Sequence, residues 1–419
     1  MVEKKNLVRM LSAFSIWKWF FLGCIFSLPF LSVPIPSPAF GSGAIQPPQL
    51  AVASAVIVVY LGLFLVAATG RSIHLRPADR SFISSVFVCV LVFTVELLHA
   101  YQGTGLYALS TILTARLFSL SCLLIAIPVL RFRDDDFQLL MKVFFAAGLV
   151  SSVVILTSSG GLFEAFSRLS NPLPFRVDGG IVRRSLGFLR GSGNNAIIFA
   201  FALAAWLYLV SERAGHWVLR LLCGIPLLAG IVFTGSRNVW ITAIITLLLF
   251  HISLLPASNR KPRLAPPIKW ATGLFGAGFA LILTWHWLYE VRPRSVELRL
   301  DQHRVVLGEF ARHFVVGLGP GAIEVGGHLL HNSFLLLMAS TGLVGVVFVV
   351  LVLFHLGRVL SHRFQSRAVG TLAVGCVSMV IAASFYPASA EGNPIFWIPL
   401  ALLFVTSGLA RTVERPVCG

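Results

Sequence analysis

Apolar residues along this chain come in runs, not in stripes. The stretches 51–69, 82–98, 138–157, 196–210 and 268–288 each approach the ~20 residues that a helix needs to cross ~30 Å of hydrocarbon. A helix in a soluble core places a polar residue every third or fourth position, and these runs do not. The same criterion carried along the chain predicts about twelve spanning helices, at roughly 14–32, 51–69, 82–99, 107–130, 138–157, 195–211, 216–233, 238–255, 267–289, 332–357, 368–387 and 394–410. The N-terminal run is read as a span. It is long for a cleavable signal, and no A-x-A-like site follows promptly. The fold class is therefore all-α integral membrane. No repeat, low-complexity tract or soluble module interrupts 1–419, so a single polytopic domain is expected.

Composition agrees: 57% of residues are apolar and mean hydropathy is +0.87, outside the soluble range. The formal charge of +17 reads as topology. With Met1 inside, all six lysines (Lys4, Lys5, Lys18, Lys142, Lys261, Lys269) fall at cytoplasmic ends. Inner loops also hold Arg71, Arg76, Arg80, Arg131, Arg133, Arg260, Arg263, Arg358, Arg363 and Arg367, whereas the outer loops 33–50 and 100–106 carry no charge. This asymmetry predicts both termini in the cytoplasm. No basic face sits on a soluble module, so no nucleic-acid partner is expected. The six cysteines are scattered with no C-x-x-C spacing, which indicates neither zinc nor a disulfide framework.

Two outer segments break the charge rule, and with arginine alone. Segment 158–194 carries Arg168, Arg176, Arg183, Arg184 and Arg190 against Glu164 and Asp178. Segment 290–331 carries Arg292, Arg294, Arg299, Arg304 and Arg312 against Glu290, Glu297, Asp301, Glu309 and Glu324. A planar guanidinium grips phosphate in a bidentate fork and keeps its charge when partly desolvated, which lysine does less well. Ion pairing within the loop accounts for Arg292, Arg294 and Arg312. Few acids lie near Arg183, Arg184 and Arg190, so an anionic ligand is the better account there. Arg116 lies mid-span near the level of Glu96 and must face the bundle interior. Two readings stand: it reaches an anionic ligand, or it pairs with Glu96.

The stretch 299–314 places Leu300, Leu307, Phe310 and Phe314 at helical spacing, with His303 and Arg304 elsewhere on the wheel. That pattern suits an interfacial amphipathic helix. The run Gly317-Leu-Gly319-Pro-Gly321 then stops it. It is no nucleotide loop, because no Lys-Ser/Thr pair follows. His331 and Asn332 come next, at the predicted outer mouth of a span. An imidazole at a membrane edge is often structural; beside ten loop arginines, a general base is the expected role.

The order Arg299, Val316-Gly-Leu-Gly-Pro-Gly321, His331-Asn332-Ser-Phe-Leu335, Thr341-Gly-Leu-Val-Gly345 resembles the signature of the O-antigen ligase and polymerase superfamily. Gly187-Phe-Leu-Arg-Gly-Ser-Gly-Asn194-Asn195-Ala196 and Thr234-Gly-Ser-Arg237 agree with it. One departure is His303, where the family usually carries tryptophan. The resemblance implies an inner-membrane glycosyltransferase with a periplasmic active site. The donor would be undecaprenyl-diphosphate-linked O-antigen, and the acceptor lipid A-core. It further implies His331 as general base, and Arg183, Arg184, Arg190, Arg237, Arg299, Arg304, Arg116, Asn195 and Asn332 as the diphosphate and acceptor surface. The ligase is the leading reading within the superfamily and a polymerase the second. A twelve-span anion transporter is the reading from another class; it expects midplane charges and similar halves, and here charge gathers in two loops. No cofactor is implied. No metal is expected either, because the outer loops hold no D-x-D-like acidic pair.

Overall fold

The computed structural model describes residues 16–30, 35–36, 44–45, 52, 77–103, 106–159, 173–177, 180–184, 192–212, 217–253, 293–319, 324–325, 328–329, 332–361, 364, 366–384 and 393–410. In chain order these form α1 (Ile16–Phe30), β1 (Ile35–Pro36), β2 (Ala44–Ile45), α2 (Pro77–Gly103), α3 (Leu106–Leu124), α4 (Asp134–Ser159), β3 (Leu173–Val177), β4 (Gly180–Arg184), α5 (Ser192–Ser211), α6 (Trp217–Phe233), α7 (Arg237–Ser253), α8 (Pro293–Arg312), β5 (Glu324–Val325), β6 (His328–Leu329), α9 (Ser333–Thr341), α10 (Leu343–Ser361), α11 (Arg367–Ala383) and α12 (Pro394–Ala410). Among the described residues the strands pair as three antiparallel two-stranded ribbons.

Among the described residues five stretches are long and apolar enough to cross a membrane: Ala78–Tyr101, Ser110–Arg131, Asp134–Thr157, Gly193–Ser211 and Leu343–Ser361. Shorter apolar helices pack with them. This is the make-up of a helical membrane protein that crosses the bilayer several times. The predicted spans at 51–69 and 267–289 lie outside the described residues.

Two helices form the buried axes. α5 is enclosed by α4, α6, α7 and α11, and α12 by α2, α3, α10 and α11. Both are apolar on every side, the pattern of a helix with no face to spare for solvent. Where α11 crosses α5 the helices approach through Gly375, at which any Cβ would lie 2.6 Å from the Phe201 ring. Small residues at such crossings let membrane helices gain dispersion contact. The perimeter is apolar and open: α2 exposes Ile83, Phe87, Leu91 and Leu98, and α10 exposes Val347, Val350, Leu353 and Phe354. A bilayer accommodates such a surface; water does not.

The two ends of the bundle differ in chemistry. At one, Lys18 pairs with Asp136 at 2.7 Å, and Arg131 grips both oxygens of Asp79 at 3.1 and 2.7 Å. At the other, neutral amides tie helix starts together. Asn393 caps α12 by accepting from the Ile395 amide, and its Nδ2 donates to Asn194 Oδ1 at 2.7 Å.

The single span expected at 332–357 is two helices. The chain breaks at Gly342, whose φ of 62° ends α9 before α10 resumes. An unbroken apolar sequence hid the break. Its cause lies elsewhere in the chain, in the segment that docks there.

Candidate functional site

The docking segment is the end of α8 and the glycine turn after it. α8 starts on Pro293, which suits a first helical position because its missing N–H has no partner there to lose. It turns Val306 onto Leu336 and Ala339 of α9, with Leu318 and Leu335 at the rim. Leu300, Leu307 and Phe314 of the predicted apolar stripe remain exposed and Phe310 is half-buried, so most of that stripe faces outward while Val306 is packed inward. An interfacial helix has this division. Its charges pair locally and exposed: Arg304 with Asp301 at 3.7 Å and Arg312 with Glu309 at 2.7 Å. Such i,i+3 surface pairs contribute less than about 1 kcal/mol each.

Ending a helix inside an apolar bundle leaves carbonyls without partners. The glycine turn supplies them. Leu318 N–H donates to Ala339 O at 2.8 Å, and Gly319 N–H donates to Ser340 O at 3.0 Å. From the other side, Leu343 N–H donates to Val315 O at 3.3 Å. The backbones must nearly touch to do this. A Cβ on Gly317 (φ 81°) would lie 2.5 Å from Gly342 N, and one on Gly342 would lie 2.6 Å from Gly317 N. Glycine at both positions is therefore a steric requirement, and the helix break and loop docking are one interaction.

Beneath this junction lies a buried ion pair. Glu96 of α2 is 1% exposed and Arg116 of α3 is 5% exposed. Arg116 Nη2 donates to Glu96 Oε1 at 3.1 Å while its Nε faces Oε2. The guanidinium also stands 5.7 Å from the centre of the Phe93 ring. Ser340 Oγ lies 3.3 Å from Glu96 Oε1, so the pair connects through one hydroxyl to the carbonyl that holds Gly319. Arg116 thus takes the second of its two readings, pairing with Glu96.

Asn332 caps α9, its Oδ1 accepting from the amides of Phe334 and Leu335 at 3.0 Å each. Its amide is therefore committed to the helix start. Asn195 is fully buried in the first turn of α5, beside the Asn194–Asn393 bridge. Arg237 opens α7 two residues after Gly235, whose φ is 56°. Arg183 and Arg184 fall on β4, opposite Pro174 and Leu173. Arg299 belongs to α8, whereas Arg190 and His331 lie outside the described residues.

Two residues that the sequence reading passed over belong to this region. Gln302 lies one turn before Val306 and is 2% exposed, with neither amide atom hydrogen-bonded. Nothing in a polar residue on an amphipathic helix announces burial. His99, one turn beyond Glu96, stands against Gly319, where a Cβ would come 3.2 Å from its own Cβ. Its Nδ1 faces Val95 O at 3.0 Å, and a carbonyl can only accept, so Nε2 of the neutral ring keeps its lone pair. Glu and His three apart in an apolar run were a signal available in the sequence.

Among the described residues no group of three metal-ligating side chains comes together. No known protein-family model matches the chain, and no curated protein matches it.

Proposed function

We propose that this chain is a lipid-linked glycan transferase of the O-antigen ligase type. It crosses the inner membrane about twelve times with both termini in the cytoplasm. In this reading His331 takes the proton from a sugar hydroxyl of lipid A-core as that oxygen attacks the anomeric carbon of the donor. The undecaprenyl diphosphate leaves from the opposite face, so configuration inverts. Arg183, Arg184, Arg190, Arg237, Arg299 and Arg304 stabilise the negative charge that grows on the diphosphate. One observation carries the reading. Motif segments separated in sequence, the glycine turn and the helix that follows His331-Asn332, are hydrogen-bonded to each other at Ala339 and Ser340. The order of motifs in the superfamily signature and this junction concern the same residues.

The test has two parts. With purified donor and a short core acceptor, His331→Ala is expected to abolish transfer while the protein remains folded and inserted; near-normal turnover removes the base assignment. Deleting the gene is expected to leave lipid A-core bare while polymer accumulates on the carrier. Core capped with a single repeat unit makes the protein a polymerase instead.

A further inference from the structure

At the end of the bundle that carries the Lys18–Asp136 and Arg131–Asp79 pairs, a cavity of about 400 Å³ opens between α2 and α10. It lies remote from the glycine turn, since the thirteen residues from Gly342 to His355 of α10 rise ~20 Å. Its lining is Arg80, Ser81, Ser84, Ser85, Leu351, Phe354 and His355. Both walls are among the stretches long and apolar enough to span a membrane. A polar pocket between two such walls is open to whatever lies against them.

Its chemistry is that of a phosphate site. Arg80 is exposed, and among the described residues no acid pairs with it. The neighbouring Asp79 is engaged by both nitrogens of Arg131. Ser84 and Ser85 donate to the carbonyls of Arg80 and Ser81, so neither hydroxyl has a proton left for an anion. The Ser81 hydroxyl is left as a donor. His355 is held from both sides, by Ser85 Oγ at 2.7 Å and Ser407 Oγ at 2.6 Å. Because the Ser85 proton points to Ser81 O, the Ser85 oxygen accepts from Nε2–H of His355. The histidine is therefore a rigid wall, and Arg80 supplies the charge. From the cavity, two apolar tracks run along the membrane face: Ile83, Phe87 and Leu91 on α2, spaced four apart, and Val350 and Val347 on α10. A cationic head site continued by apolar tracks matches one class of molecule.

We propose that the groove between α2 and α10, headed by Arg80 and Ser81, binds the phosphate head group of an anionic phospholipid with its acyl chains along α2 and α10. The proposal rests on the membrane-spanning character of these helices and is independent of the glycan chemistry above. The test is native mass spectrometry of the full chain released from micelles containing equal phosphatidylglycerol and phosphatidylcholine. Wild type is expected to retain phosphatidylglycerol in preference. Arg80→Ala is expected to lower that preference about fivefold, the factor one arginine contributes at an anionic membrane surface. Ser81→Leu, which fills the pocket without removing charge, is expected to lower it as well. Arg133→Ala removes an exposed arginine from the same end and is expected to leave it unchanged. Equal retention of the two lipids by wild type overturns the proposal. So does an Arg133→Ala loss as large as that of Arg80→Ala, which reduces the effect to bulk charge. Displacement of the retained lipid by excess inorganic phosphate overturns the lipid as the source of the phosphate.

Discussion

Replacing Arg116 by methionine removes one half of a buried ion pair and leaves a carboxylate that is 1% exposed with a single hydroxyl, Ser340, for company. The magnitude follows from what the pair consists of. Two contacts join the groups, Nη2 to Oε1 at 3.1 Å and Nε to Oε2, in surroundings that include Phe93. Removing one partner of such a pair costs about 3–5 kcal/mol, most of it the penalty of an uncompensated buried charge. Replacing both partners by apolar residues of similar volume is often nearly neutral, because neither charge then needs desolvating. The set Arg116→Met, Glu96→Leu and the double variant is therefore expected to be strongly non-additive. Each single variant loses about 3–5 kcal/mol and the double loses about 1 kcal/mol or less, a coupling of about 5 kcal/mol or more. Reversible denaturation of the purified chain in mixed micelles measures it. Additive losses, or an Arg116→Met loss under about 1 kcal/mol, would falsify the account of the pair as one unit. The same variants separate its roles. If Arg116 acts only through Glu96 and Ser340 on the glycine turn, the double variant transfers glycan nearly as well as it folds. A double variant that is stable but inert places the guanidinium on the substrate.

Three further outcomes are expected. Gly317→Ala forces a left-handed residue, about 1–2 kcal/mol for the backbone conformation alone, and drives a methyl to 2.5 Å from Gly342 N; Gly308→Ala meets open space inside α8 and gains about 0.5–1 kcal/mol. Equal effects in thermal melts would mean that the turn does not dock as described. Gln302→Leu removes a buried amide without partners and is expected to stabilise the chain by about 1–3 kcal/mol while weakening transfer; a stable variant with unchanged transfer would show that the amide is idle. Transfer to a short acceptor is expected to survive chelation, and restoration by magnesium after a loss in chelator would contradict the arginine-based account of the leaving group.

The sequence was most legible where a single physical criterion decides. Apolar run length located α2, α4, α5 and α12 within a few residues, since a helix that must shed every polar group over ~30 Å has little freedom of composition. The criterion was blind at polar ends. α4 begins at Asp134, three acids before the apolar run, because a helix N-terminus favours negative charge. It was also blind to Gly342, which interrupts α9 and α10 without interrupting the hydropathy. The ribbon β3–β4 was readable and went unread: Val177 pairs with Gly180 across Asp178-Gly179, the commonest two-residue hairpin signal. In the site, types of residue were legible and partners were not. The pairing of Arg312 within its loop was expected, whereas Arg304, expected at the diphosphate, lies against Asp301 of its own helix, and Gln302 becomes visible only once α8 lies against α9.

The break at Gly342 ties the loop to the membrane domain in a way that hydrophobic docking alone does not. The carbonyls of Ala339 and Ser340 lie in an apolar bundle, and the amides of Leu318 and Gly319 are the partners they have. An orphaned carbonyl at membrane depth costs several kcal/mol, so lifting the turn off α9 exposes two such groups at once. The turn is thus a fixed point and not a lid. A second fixed point is Asn332, whose side chain closes the other end of α9. The nine residues of α9 set these points ~14 Å apart along a rigid rod, and His331 directly precedes the second in sequence. The glycine turn and the Asn332 cap thus fix the two ends of α9 through hydrogen bonds to backbone groups that no substrate has to create, with Glu96 and Arg116 beneath the first.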